Sequence, residues 1–154
     1  MTAIFVSAAS AATVSYSARL SGSREIPKTD TKGTGRLDAT FDTKTKELKY
    51  TLTFSDLSGP ATAAHLHGPA NTKQTAGVLA PLGDKNPTSP VSGSLTLTDD
   101  QVKALQSAKI YVNVHTAANP GGEIRGQVRA QHGKRAAAAK TAPAATTTPA
   151  PATK

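Results

Sequence analysis

The chain of 154 residues contains no cysteine and no tryptophan, and aromatic residues make up only 4% of it. The lack of cysteine excludes disulfides, thiolate nucleophiles, zinc fingers and blue-copper sites, because each of these needs sulfur. Any metal ion must therefore be held by nitrogen and oxygen atoms. Long apolar runs are also missing, so the sequence predicts no helix that spans a membrane.

The formal net charge of +8 is unevenly distributed along the chain. Half of the excess comes from Lys134, Arg135, Lys140 and Lys154, which follow the last acidic residue, Glu123. The body of the protein is only mildly basic, and its strands do not alternate basic residues with exposed aromatic ones, as single-strand binders do. The sequence therefore predicts no nucleic-acid partner.

The two ends of the chain differ in composition from its middle. Residues 1–12 form a short apolar stretch followed by small residues spaced as Ala-x-Ala, which is typical of a signal-peptide cleavage site, although a basic n-region is missing. We interpret them as the remnant of a signal peptide and expect a periplasmic or extracellular location. Residues 131–154 are rich in Ala, Pro, Thr and Lys, and this composition predicts a disordered tail.

Between these ends, residues 13–130 form one domain with the alternation of half-buried β-strands. The longest alternating run covers residues 48–54, and the polar segment 42–46 before it predicts a hairpin turn. One short helix is expected after Thr98, because Thr98-Asp99-Asp100-Gln101 has the form of a capping box. The pattern predicts an all-β, Greek-key β-sandwich or flattened barrel with this single helix.

Three histidines occupy matching positions on two predicted strands. Side chains two residues apart on a strand share a face, so His65 and His67 project together. In the run 110–115 the apolar residues alternate and leave His115 on the side away from the core, with Tyr111 and Asn113. Long loops, residues 68–90 and 117–122, follow these strands directly. The pattern indicates a metal site formed by three imidazoles, although unrelated surface histidines would give the same sequence.

Three segments of the sequence resemble one known family. They are LSGSREIP (20–27), TFSDLSGPATAAHLHGPA (53–70), and YVNVHT (111–116) followed by NPGGEIRGQ (119–127). Together they are similar to the CHRD domain family, named after chordin and abundant in secreted bacterial proteins. The resemblance implies an immunoglobulin-like β-barrel with remote similarity to copper/zinc superoxide dismutases, and no general activity.

The dismutase similarity applies only where residues match. The copper site of the dismutases resembles His65, His67 and His115, which implies copper, or else zinc, at this position. Glu123 is an expected fourth ligand, or an acceptor that orients His115. The bridging histidine and the other zinc ligands have no counterparts. Glu123 also occupies the place of the anion-guiding arginine, with Arg125 two residues later.

Three functions remain open at this point. The first is a secreted or periplasmic protein that binds copper or zinc without efficient catalysis. The second is a divergent, dismutase-like copper enzyme, which the missing ligands and Glu123 disfavour. The third is a metal-free extracellular module that binds an extracellular or envelope protein, by analogy with chordin. The oligomeric state is not specified by the sequence, and the first function is the working hypothesis.

Overall fold

The computed structural model describes residues 12–131, and this part of the chain consists mainly of β-strands. Its strands are β1 (Thr13–Ser21), β2 (Thr34–Asp42), β3 (Glu47–Ser55), β4 (Ala61–His67), β5 (Val78–Pro81), β6 (Val91–Thr96), β7 (Tyr111–Thr116), β8 (Ile124–Gln127) and β9 (Arg129–Ala130). The helix α1 (Asp99–Gln106) lies between β6 and β7, and a 3-10 turn, Gly22–Arg24, follows β1. The predictions of a signal-peptide remnant and of a disordered tail concern residues that lie outside this range, apart from the single residues 12 and 131.

The strands form one antiparallel sheet in the order β5-β4-β7-β8-β1-β2-β3-β6, with β9 also paired to β1. This sheet curls into a nearly closed barrel. The connections from β3 to β4 and from β6 to β7 join strands that are not neighbours, as in Greek-key folds. The predicted all-β fold with a single short α-helix is therefore confirmed.

The hairpin of β2 and β3 shows how alternation forms the core. Its apolar residues lie opposite one another in register and are buried: Leu37 with Leu52, Ala39 with Tyr50, and Phe41 with Leu48. In the turn, an Asp42 carboxylate oxygen accepts the backbone N–H groups of Lys44 and Thr45. Such local acceptors stabilise the turn, and the predicted turn at 42–46 is confirmed.

The helix begins as its sequence predicts. The Thr98 hydroxyl accepts the backbone N–H of Gln101, and the Gln101 side chain accepts the backbone N–H of Thr98. This reciprocal capping satisfies two N–H groups that have no partner within the helix. Ala104 and Leu105 then bury the inner face of α1 against the barrel.

Two elements in the described part of the chain were not predicted, the 3-10 turn Gly22–Arg24 and β5. Residues 68–90 were expected to be a loop, but they include β5, whose residues pair with the end of β4. The apolar run of Val78–Pro81 is only four residues long and ends in proline, so alternation could not be recognised there. None of the helices formed by residues 12–131 is long and apolar enough to cross a membrane.

Candidate metal centre

The antiparallel pair of β4 and β7 brings the three histidines together. Across the two strands the paired residues are His65 with Asn113, His67 with Tyr111, and Ala63 with His115. Paired residues of antiparallel strands point to the same face of the sheet. The sequence prediction that the three imidazoles share the face opposite the core is thus met by the register of the strands.

The rings are close enough to act as one site. Ring centroids are 5.7 Å apart for His65 and His67, 4.8 Å for His65 and His115, and 6.2 Å for His67 and His115. One nitrogen from each ring lies within 4.8 Å of the others. Two nitrogens bound to one tetrahedral zinc ion at about 2.0 to 2.1 Å are about 3.4 Å apart. Ring movements of about 1 Å would therefore bring all three within bonding distance of one ion.

Hydrogen bonding leaves the Nε2 atom of His67 free to bind a metal. Its Nδ1 lies 3.0 Å from the carbonyl oxygen of Ala76, which can only accept, so Nδ1 carries the proton. Nε2 then holds a lone pair, and it is buried without a hydrogen-bond partner among residues 12–131. A buried acceptor without a partner is destabilising, and metal-binding histidines typically donate their other ring nitrogen to a carbonyl in this way.

The imidazoles of His65 and His115 are hydrogen-bonded to each other. His115 Nδ1 lies 2.9 Å from the Pro120 carbonyl oxygen, to which it donates, so its Nε2 is an acceptor. His65 Nδ1 is 3.0 Å from that Nε2 and donates to it. The three nitrogens that can face one ion are therefore Nε2 of His67, Nε2 of His115 and, after its proton moves to Nε2, Nδ1 of His65.

The surroundings keep two of these imidazoles neutral. Burial lowers the pKa of His65, and the neighbouring imidazoles of His115 and His67 lower it further. Burial also lowers the pKa of His67, with smaller contributions from the charges of His115 and Arg125, although the hydrogen bond to Ala76 and the neighbouring Asn113 side chain oppose this. Neutral imidazole is the form that binds a metal, so the site is suited to metal binding at neutral pH.

The histidine face is covered rather than open to solvent, which corrects the sequence interpretation of an outer face. His67 is 8% exposed and His115 is 9% exposed, and only His65 is partly accessible. The segment after β4 places the Ala76 carbonyl against His67, and the loop after β7 places the Pro120 carbonyl against His115. The two loops that the sequence singled out thus form the walls of the site.

Tyr111 and Arg125 support this site, and the sequence did not assign them a role in it. The Tyr111 ring is stacked on His67, and the Arg125 guanidinium lies 3.5 Å from the centroid of the Tyr111 ring. Arg125 Nη2 also donates to the backbone carbonyl oxygens of Asn71 and Gln74. Arg125 therefore connects the loop over His67 to the sheet. The alternation of residues 110–115 had placed Tyr111 on the histidine face, and this was the sign in the sequence that its ring could contact the imidazoles.

Glu123 is not part of the histidine cluster. Its fully buried carboxylate accepts hydrogen bonds from four residues, one at the end of β7 and three in loops: Thr116, Thr31, Ser58 and Asn119. Burial alone would raise its pKa, but the hydrogen bonds from Ser58, Thr116 and Thr31 outweigh this and lower the pKa to about 2. The structure thus places Glu123 as an anchor of the loop after β7, and the partner of His115 Nδ1 is Pro120.

A comparison with protein families covers nearly the whole of the described domain. The family model described as CHRD domain matches residues 16–128. The chain belongs to the CHRD domain family. The matched range includes all three histidines and both loops that cover them, so the candidate site lies within the CHRD domain. No curated protein and no solved structure matches the chain.

Proposed function

We propose that this CHRD domain binds one copper or zinc ion through His65, His67 and His115. The observation that carries the proposal is the buried Nε2 atom of His67, which has no hydrogen-bond partner among residues 12–131 and lies beside two further imidazoles. A metal ion would satisfy this atom and hold the three rings together. The carbonyl groups of Ala76 and Pro120 orient two of the ligands, as the outer partners of metal-binding histidines do.

Copper is our first choice of metal. The site offers three nitrogen ligands and no sulfur, since the chain contains no cysteine. For nitrogen and oxygen ligands of adjustable geometry, the Irving–Williams order favours Cu(II) over Zn(II). Zinc binds the same ligand type and remains the second choice.

We infer that the metal-loaded protein lacks efficient superoxide dismutase activity. Among residues 12–131, the three histidines form the only cluster of three or more His, Cys, Asp or Glu side chains that can hold an ion. The dismutase resemblance puts a guiding arginine at Glu123, but this residue is a buried carboxylate outside the histidine cluster, so it supplies no positive charge to guide superoxide. The function that fits these features is metal binding rather than catalysis.

We also place the protein in the periplasm or the extracellular space. The composition of residues 1–12 and the resemblance to secreted CHRD proteins support this location. Cell fractionation with N-terminal sequencing tests it. We expect a mature protein that begins near residue 13 in the envelope or the medium, and a cytoplasmic protein that retains residues 1–12 would contradict the proposal.

A titration of the untagged full-length chain with Cu(II) and with Zn(II), each against a competing chelator, tests the metal proposal. We expect one ion per chain, and a loss of affinity of at least about 100-fold in His67→Ala, because one of three ligands is removed. His132→Ala is the matched control, since the sequence places this histidine outside the matched domain, and its affinity should not change. Equal loss in both variants, or binding of several ions, would contradict the proposal.

A metal-free interaction module is the second candidate. The hydrogen bond between His65 and His115 favours it, because this bond satisfies two of the three imidazoles without an ion. Under this function the domain binds an extracellular or envelope protein through its loops. A wild-type chain that retains neither metal in the titration would exclude the first function and leave this one.

A further inference from the structure

A second feature lies on the histidine side of the sheet, beyond β7. Residues of β1, β8 and β9, the 3-10 turn with the chain after it, and residues 72–73 enclose a groove of about 770 Å³. Arg125 of β8 lines this groove and is the paired neighbour of Asn113 on β7. Asn113 is in turn paired with His65, so the groove continues the face that carries the histidines.

The groove is lined by many positive charges. Six cationic side chains and one carboxylate, that of Glu25, line it. The cations are Arg19, Arg24, Lys28, Lys73, Arg125 and Arg129. The ion pairs formed within residues 12–131 all involve other cations. Glu25 is buried beside the groove and its charge interacts with that of Arg125, so one of the six positive charges is opposed and the lining stays strongly basic. A concave basic surface concentrates anions from solution.

Arg125 gives the groove a fixed cationic wall. It is 2% exposed, and its Nη2 donates to two backbone carbonyl oxygens, which hold the guanidinium in place. Its Nη1 has no hydrogen-bond partner among residues 12–131. A buried guanidinium nitrogen without an acceptor is costly, and guanidinium groups bind carboxylate and phosphate oxygens strongly.

The shape and lining of the groove favour a small ligand over a nucleic acid. Its volume lies within the range of small-molecule sites, which is about 300–1,000 Å³. No aromatic side chain lines it, so it offers no surface on which bases could stack. Ile26 at its edge is 40% exposed and can contact an apolar part of a ligand.

We propose that this groove binds a small organic anion that carries at least two carboxylate or phosphate groups. The exposed guanidinium groups of Arg19 and Arg129 bind the oxyanions, and the buried Arg125 with the other cations raises the local anion concentration. The proposal is independent of the metal proposal, because none of the three histidines lines the groove.

Calorimetric titration of the metal-depleted full-length chain, in a phosphate-free buffer of low ionic strength, tests the proposal. The probes are citrate for carboxylates, tripolyphosphate for phosphates, and triethyl citrate as the neutral counterpart of citrate. We expect at least one of the two anions, citrate and tripolyphosphate, to bind with one molecule per chain. Its affinity should fall as salt is added. We expect no binding of the neutral ester. The anion that binds more tightly shows whether the groove prefers carboxylate or phosphate groups.

Two matched variants locate the binding. Arg19→Gln/Arg129→Gln removes two exposed cations from the groove, and Lys44→Gln/Lys85→Gln removes two exposed cations that do not line it. We expect the groove variant to bind about tenfold more weakly and the control to bind like the wild type. Equal affinities of the groove variant and the wild type, or binding of triethyl citrate as strong as that of citrate, would overturn the proposal.

Discussion

The imidazole of His67 lies flat against the phenol ring of Tyr111, with centroids 4.8 Å apart and planes inclined by 5°. The guanidinium of Arg125 is 3.5 Å from the centroid of the same ring. Because β4 and β8 flank β7 in the sheet, His67 and Arg125 approach Tyr111 from neighbouring strands on both sides. Tyr111 thus links a candidate metal ligand to a buried cation, and the stacking restricts the orientation of the imidazole.

Replacing Tyr111 with leucine should weaken metal binding without removing a ligand. The stacking on His67 would be lost, and changes to such supporting residues typically lower metal affinity about 10- to 100-fold. The free energy of unfolding should fall by about 2–4 kcal/mol, because a buried aromatic ring is also lost. Metal competition titrations and chemical denaturation measure the two effects.

Tyr111→Phe separates stacking from hydrogen bonding. This variant keeps the ring but loses the hydroxyl, which lies 3.2 Å from both the backbone nitrogen and the carbonyl oxygen of Ala76. We expect metal affinity within about threefold of the wild type and a loss of about 1 kcal/mol in unfolding free energy. A phenylalanine variant as defective in metal binding as the leucine variant would show that stacking is not the important contact.

The face of the three histidines could be predicted from the sequence because strand periodicity fixes it. The spacing of His65 and His67 and the alternation before His115 determine the side to which each ring points. The burial of this face could not be predicted in the same way. It depends on the path of residues 68–77, which contain no periodic pattern, and on hydrogen bonds from Arg125 to carbonyl groups more than fifty residues away in sequence.

Glu123 illustrates a second limit of the sequence. Its position eight residues after His115 implied a role beside the imidazoles. In the structure its carboxylate accepts hydrogen bonds from the hydroxyl groups of Thr31 and Ser58, which are distant in sequence. Serine and threonine carry no signal that would identify such partners, so the anchoring role of Glu123 emerges only from the fold.

Glu123→Gln should destabilise the protein and make its unfolding free energy less dependent on pH in the acid range. The folded-state pKa of Glu123 is lowered to about 2 from an ordinary 4.5, so its stabilising contribution is complete above pH 4.5 and is lost as the pH falls towards 2. At pH 7 the variant should lose about 2–3 kcal/mol of unfolding free energy. The difference from the wild type should shrink between pH 4.5 and 2, as measured by denaturation at each pH.

Asp84→Asn is the matched control for the Glu123 variant. Asp84 is an exposed carboxylate for which no hydrogen bond or ion pair is formed within residues 12–131. Its replacement should change the unfolding free energy by less than about 0.5 kcal/mol at every pH. If the two variants behaved alike, Glu123 would not be the anchor that its hydrogen bonds indicate.

Superoxide turnover by the copper-loaded protein should be slow. Residues 12–131 contain no second cluster of metal ligands beside the three histidines, and Glu123, at the position expected of a guiding arginine, is a buried carboxylate that supplies no positive charge. Pulse radiolysis of the copper-loaded chain at low and high salt measures the rate. Rapid dismutation that decreases with salt and disappears in His115→Ala would show that the protein is an enzyme of the dismutase type.

The protonation of the three imidazoles provides a direct test of which nitrogen atoms bind the metal. In the metal-free protein all three should carry their proton on Nδ1, because His67 donates to Ala76, His115 donates to Pro120, and His65 donates to His115. When zinc is added, His67 and His115 should keep this form. His65 should move its proton to Nε2, since its Nδ1 becomes a ligand.

Long-range ¹⁵N–¹H correlation spectra distinguish the two forms of each ring. In His67→Ala, zinc at the same concentration should leave the spectrum of His65 unchanged, because the site has lost a ligand. A His65 ring that stays protonated at Nδ1 while zinc is bound to the wild type would mean that this atom is not a ligand.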